Sequence, residues 1–398
     1  MEQLLSKRVL EMEESQTIAM SRKSREMKDR GIDVISLSLG EPDFNTPDFI
    51  KEAAKKAIDD NFSHYTAVPG LQEVREAVSA KFKRDNNLDY PADCIVLSTG
   101  AKQSLAQMMM ALVNEGDEVI LPAPYWVSYK QMTELCDGAI VEIPTEVEHD
   151  FKIKADALDA AITDKTKVFL FSSPCNPSGS VYSHEELAEL VTVFEKYPNV
   201  VIISDEIYEL INFTGKHASI GTFESMKDRV ATVNGMSKGF AMTGWRLGYV
   251  GAPKWLAQAC SKMQGQITSA ACSITQKASQ AALEADPSEM DFMRETFLKR
   301  RNFILSRLEN IPGLKASVPE GAFYVFPDVS DFFGKSYKGK TVENASDLAE
   351  FLLEEGKVAT VSGSAFGSPK CIRISYAAAD ELLVKAMDRI EATLAKLN

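Results

Sequence analysis

The apolar positions of this chain fall into a repeating pattern. From about residue 94, short apolar runs alternate with amphipathic stretches. The runs are 95–98, 118–121, 139–143, 167–172, 200–204, 230–233 and 246–250. Several are apolar without a break, as in Val200-Val201-Ile202-Ile203, which marks strands buried on both faces of a mainly parallel sheet. Helical patterns, such as 103–113 and 184–196, separate most of them. This alternation predicts an α/β fold, with a three-layer large domain built on a mainly parallel seven-stranded sheet.

The flanks read differently. Residues 4–30 are patterned as a helix stopped by Gly31, and 32–39 as a strand. Gly40-Glu41-Pro42-Asp43-Phe44 is a loop, and 47–58 and 70–84 are helices. Beyond about residue 285 come a long charged helix (288–309), a strand (322–326), a polar loop (328–341), a helix (345–355), a strand (371–376) and a last helix. That texture predicts a smaller α+β domain. The expected division is a large domain over 47–285, with 1–46 and 286–398 forming the small one.

Composition narrows the function. With 398 residues, 45% hydrophobic and 25% charged, the chain can bury a full core. A net charge of -13 argues against nucleic acid and anionic membrane surfaces as partners. It leaves room for anionic small ligands, because a few local Arg and Lys residues can dominate a pocket. Cys94, Cys136, Cys175, Cys260, Cys272 and Cys371 have no metal-like spacing, so no metal is expected. No apolar run approaches a membrane span, and the opening residues lack a signal-peptide core. The expectation is a reduced, cytoplasmic protein.

Candidate chemistry sits where strands end. Ser237-Lys238 follows the run 230–233, and in α/β sheets ligands bind at the carboxyl ends of strands. A lysine desolvated there loses basicity and can form a Schiff base, though a solvated lysine fits the same pattern. Arg246, eight residues on, is a fixed donor suited to a phosphate. Asp205 ends a buried run and needs a partner; a pyridinium nitrogen would serve, and so would a helix N-terminus. Tyr208 lies three residues further. Gly100-Ala101-Lys102 joins a strand to a helix, as a phosphate loop or simply a tight turn. Asn176 lies in an Asn-Pro turn, and Arg373 alternates with Ile372 and Ile374, facing either a carboxylate or solvent. Tyr65 in its loop and Trp126 read, on their own, as packing residues first.

Taken in order, Gly40-Glu41-Pro42, Tyr65, Gly100-Ala101-Lys102, Tyr125-Trp126, Asn176-Pro177-x-Gly179, Asp205-x-x-Tyr208, Ser237-Lys238, Arg246 and Arg373 resemble the class I aminotransferases of the pyridoxal-phosphate (PLP) fold type I. The resemblance spans about residues 30 to 380 and points to the bacterial-type aspartate aminotransferase branch. It implies pyridoxal 5'-phosphate as cofactor, held covalently by Lys238, which also shuttles the proton. It implies Asp205 on the pyridinium and Tyr208 and Asn176 on the ring oxygen. Trp126 would stack on the ring. Gly100, Ala101, Lys102, Ser237, Arg246 and Tyr65 would hold the phosphate, Tyr65 reaching from the other subunit of a homodimer. Arg373, Asn176, Trp126 and Gly40 would meet the substrate. The implied reaction is ping-pong transfer between an L-amino acid, best matched by aspartate, and a 2-oxo acid, best matched by 2-oxoglutarate. Aromatic or broad-specificity transamination and a carbon–sulfur β-lyase are the alternatives on the same fold. Two positions depart from relatives that carry basic residues for a distal carboxylate or for prephenate: Met110 and Glu13.

Overall fold

The unbroken apolar runs become the strands of one seven-stranded sheet. The structure, a computed structural model, describes residues 4–10, 12 and 14–398. The strands are β1 (Ile95–Ser98), β2 (Glu118–Ala123), β3 (Ala139–Pro144), β4 (Thr166–Ser172), β5 (Val201–Asp205), β6 (Val230–Gly235) and β7 (Gly248–Gly251). Their order in space is β1-β7-β6-β5-β4-β2-β3. β7 is antiparallel to both neighbours, and every other pair is parallel.

Two cores explain why the runs are apolar throughout. Val168, Leu170, Val201 and Ile203 pack on one face of the sheet. Phe169, Phe171 and Ile202 pack on the other. Successive side chains point to opposite faces, so a strand covered on both sides has no position to spare for a polar residue. The helices covering the sheet carry ordinary start signals. Helix His184–Phe194 opens on a capping box between Ser183 and Glu186.

The N- and C-terminal parts pack together. Ile35–Ser36 pairs in parallel with Val358–Ala359. Tyr324–Val325, Ile372–Ser375 and Val361–Ser362 make an antiparallel sheet with Ile372–Ser375 in the middle. Arg300, buried on the long helix Asp291–Leu308, bonds Asp43 through both terminal nitrogens at 2.7 and 3.0 Å and Asp380 through Nε at 2.8 Å. It thereby joins the Gly40–Phe44 loop to the last helix, Asp380–Leu394. No helix among the described residues is long and apolar enough to cross a membrane.

Three expectations are corrected. Residues 4–30 are not one helix: Lys7–Leu10 and Gln16–Asp29 are separate, with Ser15 before the second. The strand expected over 32–39 shortens to Ile35–Ser36, which registers against Val358–Ala359. The strand expected over 246–250 begins at Gly248, because Arg246 takes a left-handed conformation (φ 57°) just before it.

Candidate active site

The loops that leave the carboxyl ends of β1, β2, β4, β5 and β6 converge on one cavity, joined by the turn that enters antiparallel β7. After β1, Gly100 adopts φ +83° and opens helix Ala101–Leu112. A Cβ on Gly100 would overlap the Arg246 guanidinium, and one on Gly248 would overlap the Ala101 backbone. Missing side chains therefore let the arginine and the helix N-terminus share one corner. Lys102 completes it, with Nζ 4.8 Å from the Trp126 ring centroid. Burial, with Arg246 adding, lowers the Lys102 pKa. Two cations and a helix N-terminus in one corner suit a phosphate.

Asp205, the last residue of β5, is buried. Its Oδ2 accepts the Tyr129 hydroxyl at 2.7 Å, and Oδ1 accepts the Ile207 amide at 3.3 Å. Burial raises its pKa to about 6, against these two bonds and Lys238. The segment that follows is a turn, so Asp205 caps no helix. A buried carboxylate held this way calls for a cation.

Lys238 projects from the turn after β6. Its Nζ donates to the Gly40 carbonyl and lies 6.0 Å from the Tyr208 ring centroid. Burial lowers its pKa to about 8; Glu41 and Asp205 oppose this, and Arg373 and Arg246 add to it. An amine so depressed has a reactive neutral fraction near neutral pH.

Arg373 forms the far wall, buried on strand Ile372–Ser375. Its Nη1 donates to Asn176 Oδ1 at 2.8 Å and its Nη2 to the Ser38 carbonyl at 2.6 Å. Its guanidinium lies 4.5 Å from the Tyr324 ring centroid. Nε is buried without a partner, and the guanidinium as a whole is a fixed cation on the cavity wall, suited to a carboxylate.

A sequence model of the class I and II aminotransferases matches residues 32–390. The chain belongs to this family. It is 44% identical over 396 residues to the aspartate aminotransferase of Pinus pinaster, covering 98% of this chain and 80% of that protein. It is 44% identical over 401 residues to the aspartate/prephenate aminotransferase of Cereibacter sphaeroides, covering 99% of each. The crystal structure of the aspartate aminotransferase from Rhizobium meliloti superposes with a TM-score of 0.96 at 40% identity over 99% of each chain. The Thermus thermophilus aspartate aminotransferase with maleate gives 0.92 at 38% identity, over 98% of this chain and 99% of that one. The fold is that of these enzymes, the chain is a transaminase, and its family implies pyridoxal phosphate.

All of this aminotransferase's sequence-predicted site residues line the one cavity except Gly100 and Tyr65. Gly100 abuts Arg246. Tyr65 is 95% exposed. Met110 is also exposed and does not line the cavity, and Glu13 lies outside the described residues. Several lining residues were not foreseen from the sequence, Ser15, Thr17, Tyr129 and Tyr324 among them. Ser15 and Thr17 line the wall. Tyr324 bonds the Tyr208 hydroxyl at 2.8 Å, and its own hydroxyl fills the space where a side chain on Gly40 would begin. Tyr129 grips Asp205. Its one visible signal is the spacing Trp126-x-x-Tyr129, which puts both rings on the same helical face.

Beneath Asp205 lies a buried polar network. Glu206 accepts Ser204 and Ser219 hydroxyls at 2.9 and 2.6 Å and meets His217 Nε2 at 2.8 Å. Lys81 and Asn86 bond Glu209. Glu206, Glu209 and His217 approach closely enough to ligate an ion, but Lys81 already supplies the cation at Glu209.

Proposed function

We propose that this transaminase moves an amino group between L-aspartate and 2-oxoglutarate on pyridoxal phosphate, in two half-reactions sharing one site. The observation that carries this reading is the convergence of Lys238, Asp205, the Lys102–Arg246 corner and Arg373 on a single cavity. The substrate follows from relatives named for aspartate and from a neighbour solved with maleate, a dicarboxylate. When bound, pyridoxal phosphate supplies an aldehyde that takes up the amino group and a cationic ring that withdraws electrons from the α-carbon.

The chain's own residues do the rest. Arg246, Lys102, Ser237 and the N-terminus of helix Ala101–Leu112 hold the phosphate, with Gly100 making room. Asp205 keeps the ring nitrogen protonated. Trp126 offers a stacking face. Asn176 spends its Oδ1 on Arg373, which leaves its amide hydrogens, with the Tyr208 hydroxyl, for the ring oxygen. Arg373 takes the α-carboxylate on its guanidinium, braced by Asn176, Ser38 and the Tyr324 ring. Lys238 holds the cofactor at rest, then accepts the α-proton on its neutral Nζ and delivers it to complete the transfer. Ser15 and Thr17 on the cavity wall carry hydroxyls that suit a second, distal carboxylate.

Residues 47–285 form the cofactor-binding unit, and 1–46 with 286–398 the smaller one. The pairing of Ile35–Ser36 with Val358–Ala359 supports that division. The working form is a homodimer in which Tyr65 serves the neighbouring site.

A two-part experiment tests the reading. Borohydride treatment of the yellow enzyme fixes the cofactor to the Lys238 peptide; a label on another lysine overturns the site. Each amino acid is then offered without an oxo acid while the absorbance is followed. Aspartate and glutamate bleach the enzyme fastest. An aromatic amino acid outrunning both overturns the substrate.

A further inference from the structure

Asp205 must do two things that conflict. It has to be buried to act strongly on a ring nitrogen, and it has to stay ionised while buried. Burial alone works against ionisation, because desolvation disfavours the charged form. The groups facing the carboxylate come from four elements. Lys238 approaches from the turn after β6, and Cys175 from the loop after β4. Glu206, Tyr208 and the Ile207 amide belong to its own segment, and Glu206 repels it. Tyr129 comes from helix Val127–Leu135.

Tyr129 bonds Asp205 more closely than the Ile207 amide does, at 2.7 Å from hydroxyl to Oδ2 against 3.3 Å. The tyrosine cannot easily turn away. It is 1% exposed, its backbone carbonyl accepts the Thr133 hydroxyl at 2.9 Å, and its ring meets Trp126 edge-on at 5.6 Å and 89°. Burial and the Asp205 charge push its own pKa well up, so it remains a neutral donor across the working range. A hydrogen bond to an ionised acceptor is among the stronger ones a protein makes, and it favours the charged form.

We propose that Tyr129 is a positioning residue for the cofactor: its hydroxyl keeps Asp205 ionised and fixed in orientation for the ring nitrogen. The proposal rests on the reading of Asp205 given above. One helical turn then serves the cofactor twice, through the Trp126 face and through the tyrosine behind the carboxylate. The packing of Tyr129 explains its ring but not its hydroxyl, which ends on the one carboxylate lining the cavity that is drawn out of water.

The test is the pH dependence of PLP affinity, measured by equilibrium titration of the apoenzyme. In the native enzyme affinity falls with decreasing pH as Asp205 takes up its proton. Tyr129→Phe keeps the ring and removes only the donor. Its acid limb moves to higher pH by about one unit, a tenfold rise in the proton affinity of Asp205, while affinity well above that limb stays near native. Asp205→Asn loses the limb. 3-Fluorotyrosine at position 129 keeps the shape with a more acidic hydroxyl, so the limb moves down; this variant decides the matter if the phenylalanine variant folds poorly. A limb unchanged in both position-129 variants, or affinity lost equally at every pH, overturns the proposal and leaves Tyr129 as packing. A native limb retained in Asp205→Asn overturns the reading of Asp205 and the proposal with it.

Discussion

In the proposed reaction, the chemistry at Lys238 turns on how readily one amine sheds its proton. The neutral amine attacks an aldehyde, and burial brings the pKa down to about 8. Below that value the neutral fraction falls about tenfold per pH unit; above it the fraction saturates. The rate of covalent PLP capture by apoenzyme, followed by absorbance, is therefore expected to climb with pH to about 8 and then level off. A climb continuing toward 10.5, the ordinary lysine value, would contradict the burial account. Lys238→Ala should show no covalent capture at any pH. Lys238, Asp205 and Arg373 were legible in sequence because each is a charged residue in or just past an apolar run, where charge is costly without a use. Tyr129 and Tyr324 were not. A tyrosine in an amphipathic helix or an apolar strand reads as core, and nothing local says that the Tyr129 hydroxyl ends on a carboxylate 76 positions away.

The β1–helix junction is the element on which the proposed phosphate corner depends, and two glycines separate its two costs. Gly100 and Gly116 share φ +83°, a conformation that strains any L side chain. A Cβ at 100 also meets Arg246, whereas one at 116 meets nothing within 4 Å. Gly100→Ala and Gly116→Ala should each lose about 1–2 kcal/mol of stability in thermal melts. Only Gly100→Ala should also lose PLP affinity, by about tenfold or more, as the arginine loses its charge-assisted bond. Equal affinities in the two variants would show that the corner tolerates a displaced Arg246. The same junction marks how far elements could be read. Strand existence was visible because runs such as β5 are buried on both faces. Strand limits were set elsewhere: residues 32–39 are apolar enough for a strand, but the edge offered by Val358–Ala359 is short and Ile35–Ser36 registers against it. Arg246 leaves the strand pattern because it turns left-handed toward Gly100, a choice made by tertiary contact rather than by propensity.

At the scale of the whole molecule, one predicted cofactor contact is left over. Tyr65 is 95% exposed and outside the cavity of its own chain, and Leu39, Ile58, Met110 and Ile267 also leave large apolar side chains in solvent. Apolar exposure of this kind is what a second copy would cover. A dimer that only buried this surface would leave the two sites independent; a dimer that exchanges Tyr65 makes each site a joint product. Hybrid dimers distinguish the two. Tyr65→Ala, with PLP held too weakly to stay loaded, and Lys238→Ala, with no amine, are each expected to be poor enzymes. If Tyr65 acts across the interface, a hybrid of the two carries both lesions in one site and none in the other, so it regains transamination at the intact site. If Tyr65 serves its own chain, every site in the hybrid carries one lesion and activity stays at the level of the parents. Differently tagged chains, purified as the hybrid and assayed at limiting PLP, give the answer. Sedimentation at twice the 43.9 kDa chain mass establishes beforehand that there is a dimer to mix.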